Sequence, residues 1–337
     1  MFVKIKLIRP LIFLFLIASI PSASFSQTIS SADKKKLREK EDSLKMMAKA
    51  LVLDSTTAGR MIADSLFIRT LVRTLQIKNS FYYPFDSVQG ISKLYSPDTT
   101  FRIFTWTIEY EDNYSRQRGA IQLRTPDGSL KLVPLRDYSE FTDKPEDSVR
   151  SRANWIGAVY YNIIKTQYRG KNYYTLFGYD NNDAMSSMRW IEVMTFNEKK
   201  EPVFGGPYFS FEKDSIPKPP QYRYSMEYKK DARILANYIP DLNMILVDEL
   251  ISESNEPEHK WTYVPDGENE GFKWENGKWM HVENVFNYKI DMKGVDPLLG
   301  KPPVGDPLFD SKGNKDEKKL QEKTDKNKTQ KKDDNDN

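Results

Sequence analysis

The chain has no cysteine and only two histidines in 337 residues. The first absence removes disulfides, thiolate metal sites, cysteine nucleophiles and lipidation at a cysteine. The second leaves no room for a histidine-rich zinc centre. An excess of one charge is lacking too. Lys and Arg number 51 against 48 Asp and Glu, a formal +3 that gives no case for nucleic acid as partner. There is no phosphate-cradling glycine loop, no G-x-S-x-G elbow and no H-E-x-x-H motif. Beyond the first thirty residues no apolar run approaches the roughly 18–20 residues that span a bilayer.

Those first residues set the compartment. Lys4, Lys6 and Arg9 precede the apolar run Leu11 to Ile17, and small residues follow in Ser22-Ala23-Ser24-Phe25-Ser26. Ser24 and Ser26 fit the −3 and −1 positions of a signal-peptidase site, which predicts a signal peptide over 1–26 and cleavage before Gln27. An uncleaved anchor is the alternative, and the run is short for one. The expected product is an exported, periplasmic or extracellular protein without stable membrane insertion. Its charge balances at 48 against 48, which also argues against an anionic surface as partner.

Residues 27–79 read as a helical arm. Leu37, Leu44, Met47 and Leu51 make a thin apolar stripe in a charged segment. Ser55-Thr56-Thr57 then offers caps for a second helix, Ala58 to Ile77, with Met61, Ile68, Leu71, Val72 and Leu75 on its expected buried face. Amphipathic helices of this kind pack on their own domain or dock a partner.

From 80 to 290 the period becomes two, and β-branched and aromatic residues dominate. Short turns such as Thr125-Pro126-Asp127-Gly128 and Tyr168-Arg169-Gly170-Lys171 separate the strand-like runs. They leave no room for parallel crossovers, so neighbours should pair antiparallel. The expectation is a mainly β domain, an antiparallel meander of about ten to twelve strands forming a sandwich or open barrel. Only Lys144–Ala153 reads as a short helix within it. No regular repeat marks a propeller, although four-stranded blades could be cut from such a meander. Asn276-Gly277 predicts a type I′ hairpin with Glu275 opposite Lys278 and Trp274 opposite Trp279. Residues 291–310 form a Pro/Gly-rich linker. The segment 311–337 carries nine Lys and seven acids with Leu320 its one sizeable apolar residue, a composition that stays disordered.

Candidate chemistry is sparse. Glu109 and Glu111, two apart on a strand, share a face and could form the acid/base couple of a polysaccharide hydrolase; solvated charges at a strand end explain them equally. His259 and His281 lack the context of a triad and read as surface or packing residues. Phe204-Gly205-Gly206-Pro207 reads as a bulge or bend. Asp180 and Asp183, with Asn181 and Asn182 between them, offer the hard oxygens that Ca²⁺ takes, yet Asp and Asn are also what an ordinary turn uses. No other cofactor is expected. The aromatic excess of 19 Tyr, 18 Phe and 6 Trp suits either a bulky core or a glycan-stacking face.

The segments Tyr83-Pro84-Phe85-Asp86-Ser87, Ser96-Pro97-Asp98, Phe101 to Trp106, Tyr173 to Asp180, Pro202-Val203-Phe204-Gly205 and Glu275 to Trp279 together resemble a group of secreted proteins of Gram-negative bacteria. The resemblance covers about residues 80–285. It implies export and one continuous body, and it brings no activity or ligand. The functional expectation is a non-enzymatic envelope module that binds a protein or glycan partner or serves a structural role, with a polysaccharide hydrolase as the alternative.

Overall fold

The computed structural model describes residues 28–111 and 114–286. The signal peptide and the linker and tail expected from the sequence lie outside the described residues.

Helix α1 (Ser31–Leu53) starts where the Ser30 hydroxyl accepts the Asp33 backbone N–H at 3.1 Å. Helix α2 (Thr57–Leu75) starts the same way, Thr56 capping Gly59. The first sheet follows as the meander β1 (Ser92–Tyr95), β2 (Phe101–Glu111), β3 (Tyr114–Leu123) and β4 (Lys131–Arg136), antiparallel throughout. Strands β5 (Arg150–Ser151), β6 (Val159–Tyr168), β7 (Lys171–Asp180), β8 (Ser186–Phe196) and β9 (Pro202–Phe204) build a second sheet in the order β5-β9-β8-β7-β6. The chain then lays down β10 (Phe209–Phe211) and β11 (Lys218–Gln221), and returns with β12 (Arg223–Lys229) to the first half of β8. Strands β13 (Ala236–Ile239), β14 (Met244–Ser252), β15 (Tyr263–Glu275) and β16 (Lys278–Val282) complete a third sheet ordered β11-β10-β16-β15-β14-β13.

Alternation along the strands makes this a stack of layers. Phe104 and Trp106 of β2 face the helices and share a core with Leu37, Leu44, Leu51, Phe67 and Leu71. Phe101 and Ile103, on the other face of β2, pack with Tyr174, Leu176, Trp190 and Met194 of the second sheet. The opposite face of that sheet, with Tyr173, Phe177, Ile191 and Val193, meets Phe209, Ile245, Phe272 and Trp279 of the third. Gly119 and Gly178 let the first two layers close. A Cβ on Gly119 would come within 3.2 Å of the Trp155 ring, and one on Gly178 within 2.7 Å of the Ala158 Cβ.

The mainly β class read from the sequence is therefore the observed one, as open stacked sheets rather than a closed barrel. Sixteen strands are present among the described residues, more than the ten to twelve expected, because β5, β9, β10 and β11 are too short to show a period. The expected helix at 144–153 is a single 3₁₀ turn, Pro145–Asp147, followed by β5. Asn154 accepts from the backbone N–H and hydroxyl of Ser151, and Arg150 pairs with Phe204, so the segment is tied into turns and sheet instead. One pair departs from the antiparallel rule: β10 runs parallel to β16, with the Trp279 N–H donating to the Tyr208 carbonyl at 2.7 Å.

The second helix buries Leu71 and Leu75 as expected, with Ile68 packed against the same core, but Met61 is 46% exposed and Ala63, Asp64 and Phe67 fill the first turns of the buried side instead. Asp64 holds its place on that side by accepting the Trp106 indole N–H at 3.0 Å and pairing with Arg118 at 3.0 Å. The Asn276-Gly277 hairpin has the expected register, both turn residues at positive φ. Gly205 and Gly206 form the expected bend between β9 and β10.

Candidate binding cleft

Where the first and second sheets part at one end, a cleft of about 380 Å³ opens. The start of β3 (Tyr114, Arg116, Gln117) and the segment after β4 (Glu140) wall one side; Asp180, Met188 and Trp190 wall the other. A comparable hollow of about 460 Å³ beside α1 is walled by Lys45, Lys49, Val52 and Leu53 and holds no carboxyl group.

Strand period places Asp180. Tyr174, Leu176 and Gly178 face the core between the sheets, and Asp180 is the next residue on that face, where the apolar contacts run out. It is only 8% exposed. Its Oδ1 accepts from Gln117 Nε2 at 2.7 Å and from the Asn182 backbone N–H at 2.9 Å. Burial pushes this carboxyl up from 3.8 to about 6. The Asn182 and Gln117 hydrogen bonds and the Lys230 charge oppose the rise, and the neighbouring Asp137 charge adds to it. Below that pH Asp180 can donate a hydrogen bond; above it, it can only accept.

Asp137, also buried, is engaged by backbone and side-chain donors and lies 3.4 Å from the Arg116 Nε. It accepts from the Gln117 N–H at 2.9 Å and from the Ser139 N–H and hydroxyl at 2.9 and 2.7 Å. Arg116 donates to Glu140 Oε2 at 2.7 Å, to the Tyr114 hydroxyl at 3.0 Å and to the Asp137 carbonyl at 2.8 Å, which fixes Glu140 at the rim. Trp190 is 3% exposed, yet its buried indole N–H has no hydrogen-bond partner among the described residues. An unpaired buried donor costs about 1–3 kcal/mol. One wall of the cleft thus carries a free donor and a carboxyl that changes role near pH 6.

The other sequence candidates lie apart from this arrangement or serve turns. Asp183 Oδ1 accepts the backbone N–H groups of Met185 and Ser186 at 2.7 and 2.8 Å, closing the β7–β8 turn, while Asp180 faces Gln117. Among the described residues no group of three or more His, Asp or Glu side chains is placed to hold a metal ion. The β2–β3 register shifts between Glu109 and Glu111, a bulge in the strand that carries both. Glu109 Oε1 accepts from Asn181 Nδ2 at 3.4 Å. His259 stacks on Trp261 with centroids 4.5 Å apart and pairs with Glu256. His281 lies opposite Phe272, buried, with Nδ1 2.9 Å from Asp214 and Nε2 3.1 Å from Glu270.

Sequence reading reached Asp180 through composition and missed Trp190, ten residues on, and Gln117, Arg116 and Glu140, which stand 40 to 64 residues before it. The alternation Tyr174-Leu176-Gly178-Asp180 was the available signal that Asp180 points inward rather than into a solvated loop. Comparison of the chain with protein-family models, curated proteins and solved structures finds no match.

Proposed function

We propose that this chain is an exported, non-enzymatic binding module of the bacterial envelope whose cleft takes a neutral sugar unit of a glycan. The observation that carries the reading is the Asp180–Trp190 wall, a buried carboxyl beside a buried indole N–H without a partner. A sugar hydroxyl accepts from one such group while donating to the other, and a cleft of about 380 Å³ suits one or two rings. The basic and apolar leader, the absence of cysteine and the resemblance to secreted proteins support export. No helix among the described residues is long and apolar enough to cross a membrane. Titration calorimetry against a panel of neutral envelope oligosaccharides tests the reading. Binding that is lost in Trp190→Phe, which removes only the N–H and keeps the apolar wall, supports it. Absence of heat across the panel, or equal affinity in Trp190→Phe, overturns it.

One observation favours a second reading, a polysaccharide hydrolase: Glu140 lines the same cleft as Asp180, whose proton is retained to about pH 6. Asp180 would protonate the leaving oxygen and Glu140 would act as the paired carboxylate. Reducing-end release that disappears in both Asp180→Asn and Glu140→Gln would select this reading over simple binding.

A further inference from the structure

We propose that Arg189, framed by the rings of Tyr161 and Tyr179, is an oxyanion-binding site for a small carboxylate- or phosphate-bearing ligand, on the opposite face of the second sheet from the cleft. Arg189 and Tyr179 are directly opposed on β8 and β7. The guanidinium carbon lies 5.0 Å from the centroid of Tyr179 and 5.0 Å from that of Tyr161. Tyr161 reaches this position because it is the extra residue of a bulge between Tyr160 and Asn162. The bulge sends Tyr160 into one core and lets Tyr161 turn to the other face, beside Phe177. Both rings are anchored. The Tyr161 hydroxyl donates to the Ala236 carbonyl, and that of Tyr179 donates to Asn181 Oδ1 at 2.9 Å.

The frame holds a cation that the protein does not neutralise. Arg189 is half-buried, and none of its five N–H donors has a hydrogen-bond or ion-pair partner among the described residues. Its Nε is buried outright. The two fully buried arginines, by contrast, are bonded within the protein: Arg223 pairs with Glu192, and Arg102 donates to Gln122, Tyr95 and two carbonyls. The two ring contacts are cation–π attractions that use none of the N–H donors, so the fork that matches two oxygens of a carboxylate or phosphate is left unengaged. Burial also pushes Tyr161 up to about 12, so the ring beside the ligand stays neutral and does not repel an anion.

Calorimetry of the full chain with glucuronate, glucose 6-phosphate and glucose decides the matter. Binding of either acid but not of glucose is expected, and whichever acid binds more tightly identifies the oxyanion. Arg189→Gln should abolish that binding. Arg189→Lys keeps the charge but loses the fork, and should weaken binding about tenfold, the equivalent of one charge-assisted hydrogen bond. If Arg189→Gln fails to fold, the lysine variant alone carries the test. No binding of either acid to the wild type overturns the proposal, as does unchanged affinity in the folded variants. A failure of the neutral-glycan reading leaves this site untouched, since Trp190 lies on the other face.

Discussion

Asp180→Asn is the perturbation that most directly interrogates the cleft. Both hydrogen bonds that Asp180 receives arrive at Oδ1, from Gln117 and from Asn182. An asparagine keeps that oxygen and places an amide where Oδ2 stood, so the contacts survive and only the charge is removed. A carboxyl raised from 3.8 to about 6 on folding binds protons more tightly in the native state than in the unfolded one. Stability therefore falls as pH rises from about 4 through about 6, and above that range the penalty for holding Asp180 ionised is complete. Two pH units correspond to ~3 kcal/mol as an upper bound, and relaxation around the site leaves about 1–3 kcal/mol. For a body of this size, that is a gain in melting temperature of about 2–10 °C at roughly pH 7.5, and close to none at roughly pH 4. Differential scanning calorimetry at the two pH values reads it directly. A variant less stable than the wild type at the higher pH, or equally stabilised at both, would refute the assignment of Asp180 as a buried carboxyl held at a cost. If the variant is more stable and no longer binds ligand, the destabilising charge is explained by function.

Three further outcomes test the framework that positions the cleft. Trp279 is fully buried and donates its indole N–H to Thr175 at 2.9 Å, so Trp279→Ala should cost about 3–5 kcal/mol in chemical denaturation; an unchanged midpoint with lost binding would make the Trp274/Trp279 pair a site instead. The Arg223–Glu192 pair, 3.1 Å apart with both side chains fully buried, should lose about 3–5 kcal/mol in Arg223→Met and recover part of it when Glu192→Gln is added, as a double-mutant cycle would show. Burial alone would lower the His281 pKa, but its hydrogen bonds to Glu270 and Asp214 and their charges raise it above 6.5. Its stabilising contribution is then fully present below about pH 6.5 and is lost as pH rises through the raised value. The melting-temperature difference between wild type and His281→Gln should shrink as pH rises from about 6 to about 9, and a difference that widens would contradict the double ion pair.

What the sequence made legible follows the range over which the physics acts. The helices, the meander of the first sheet and the Asn276-Gly277 hairpin are decided within a few residues, by caps, by alternation and by the positive φ that only certain residues adopt. The parallel β10–β16 pair joins residues 70 apart, and β12 leaves the third sheet to pair with β8, so no local pattern encodes either. The same division explains the cleft. Asp180 sits on a strand whose alternation is readable, but its meaning depends on Gln117, 63 residues earlier, reaching its Oδ1 across the gap between two sheets. A composition rich in Asn and Asp pointed to oxygen ligands at a loop tip. The fold divides that segment, giving Asp183 to the turn and turning Asp180 inward, where desolvation raises its carboxyl pKa. Spacing on one strand cannot report burial by another layer, and burial is what converts an ordinary aspartate into a group able to switch between donor and acceptor near pH 6.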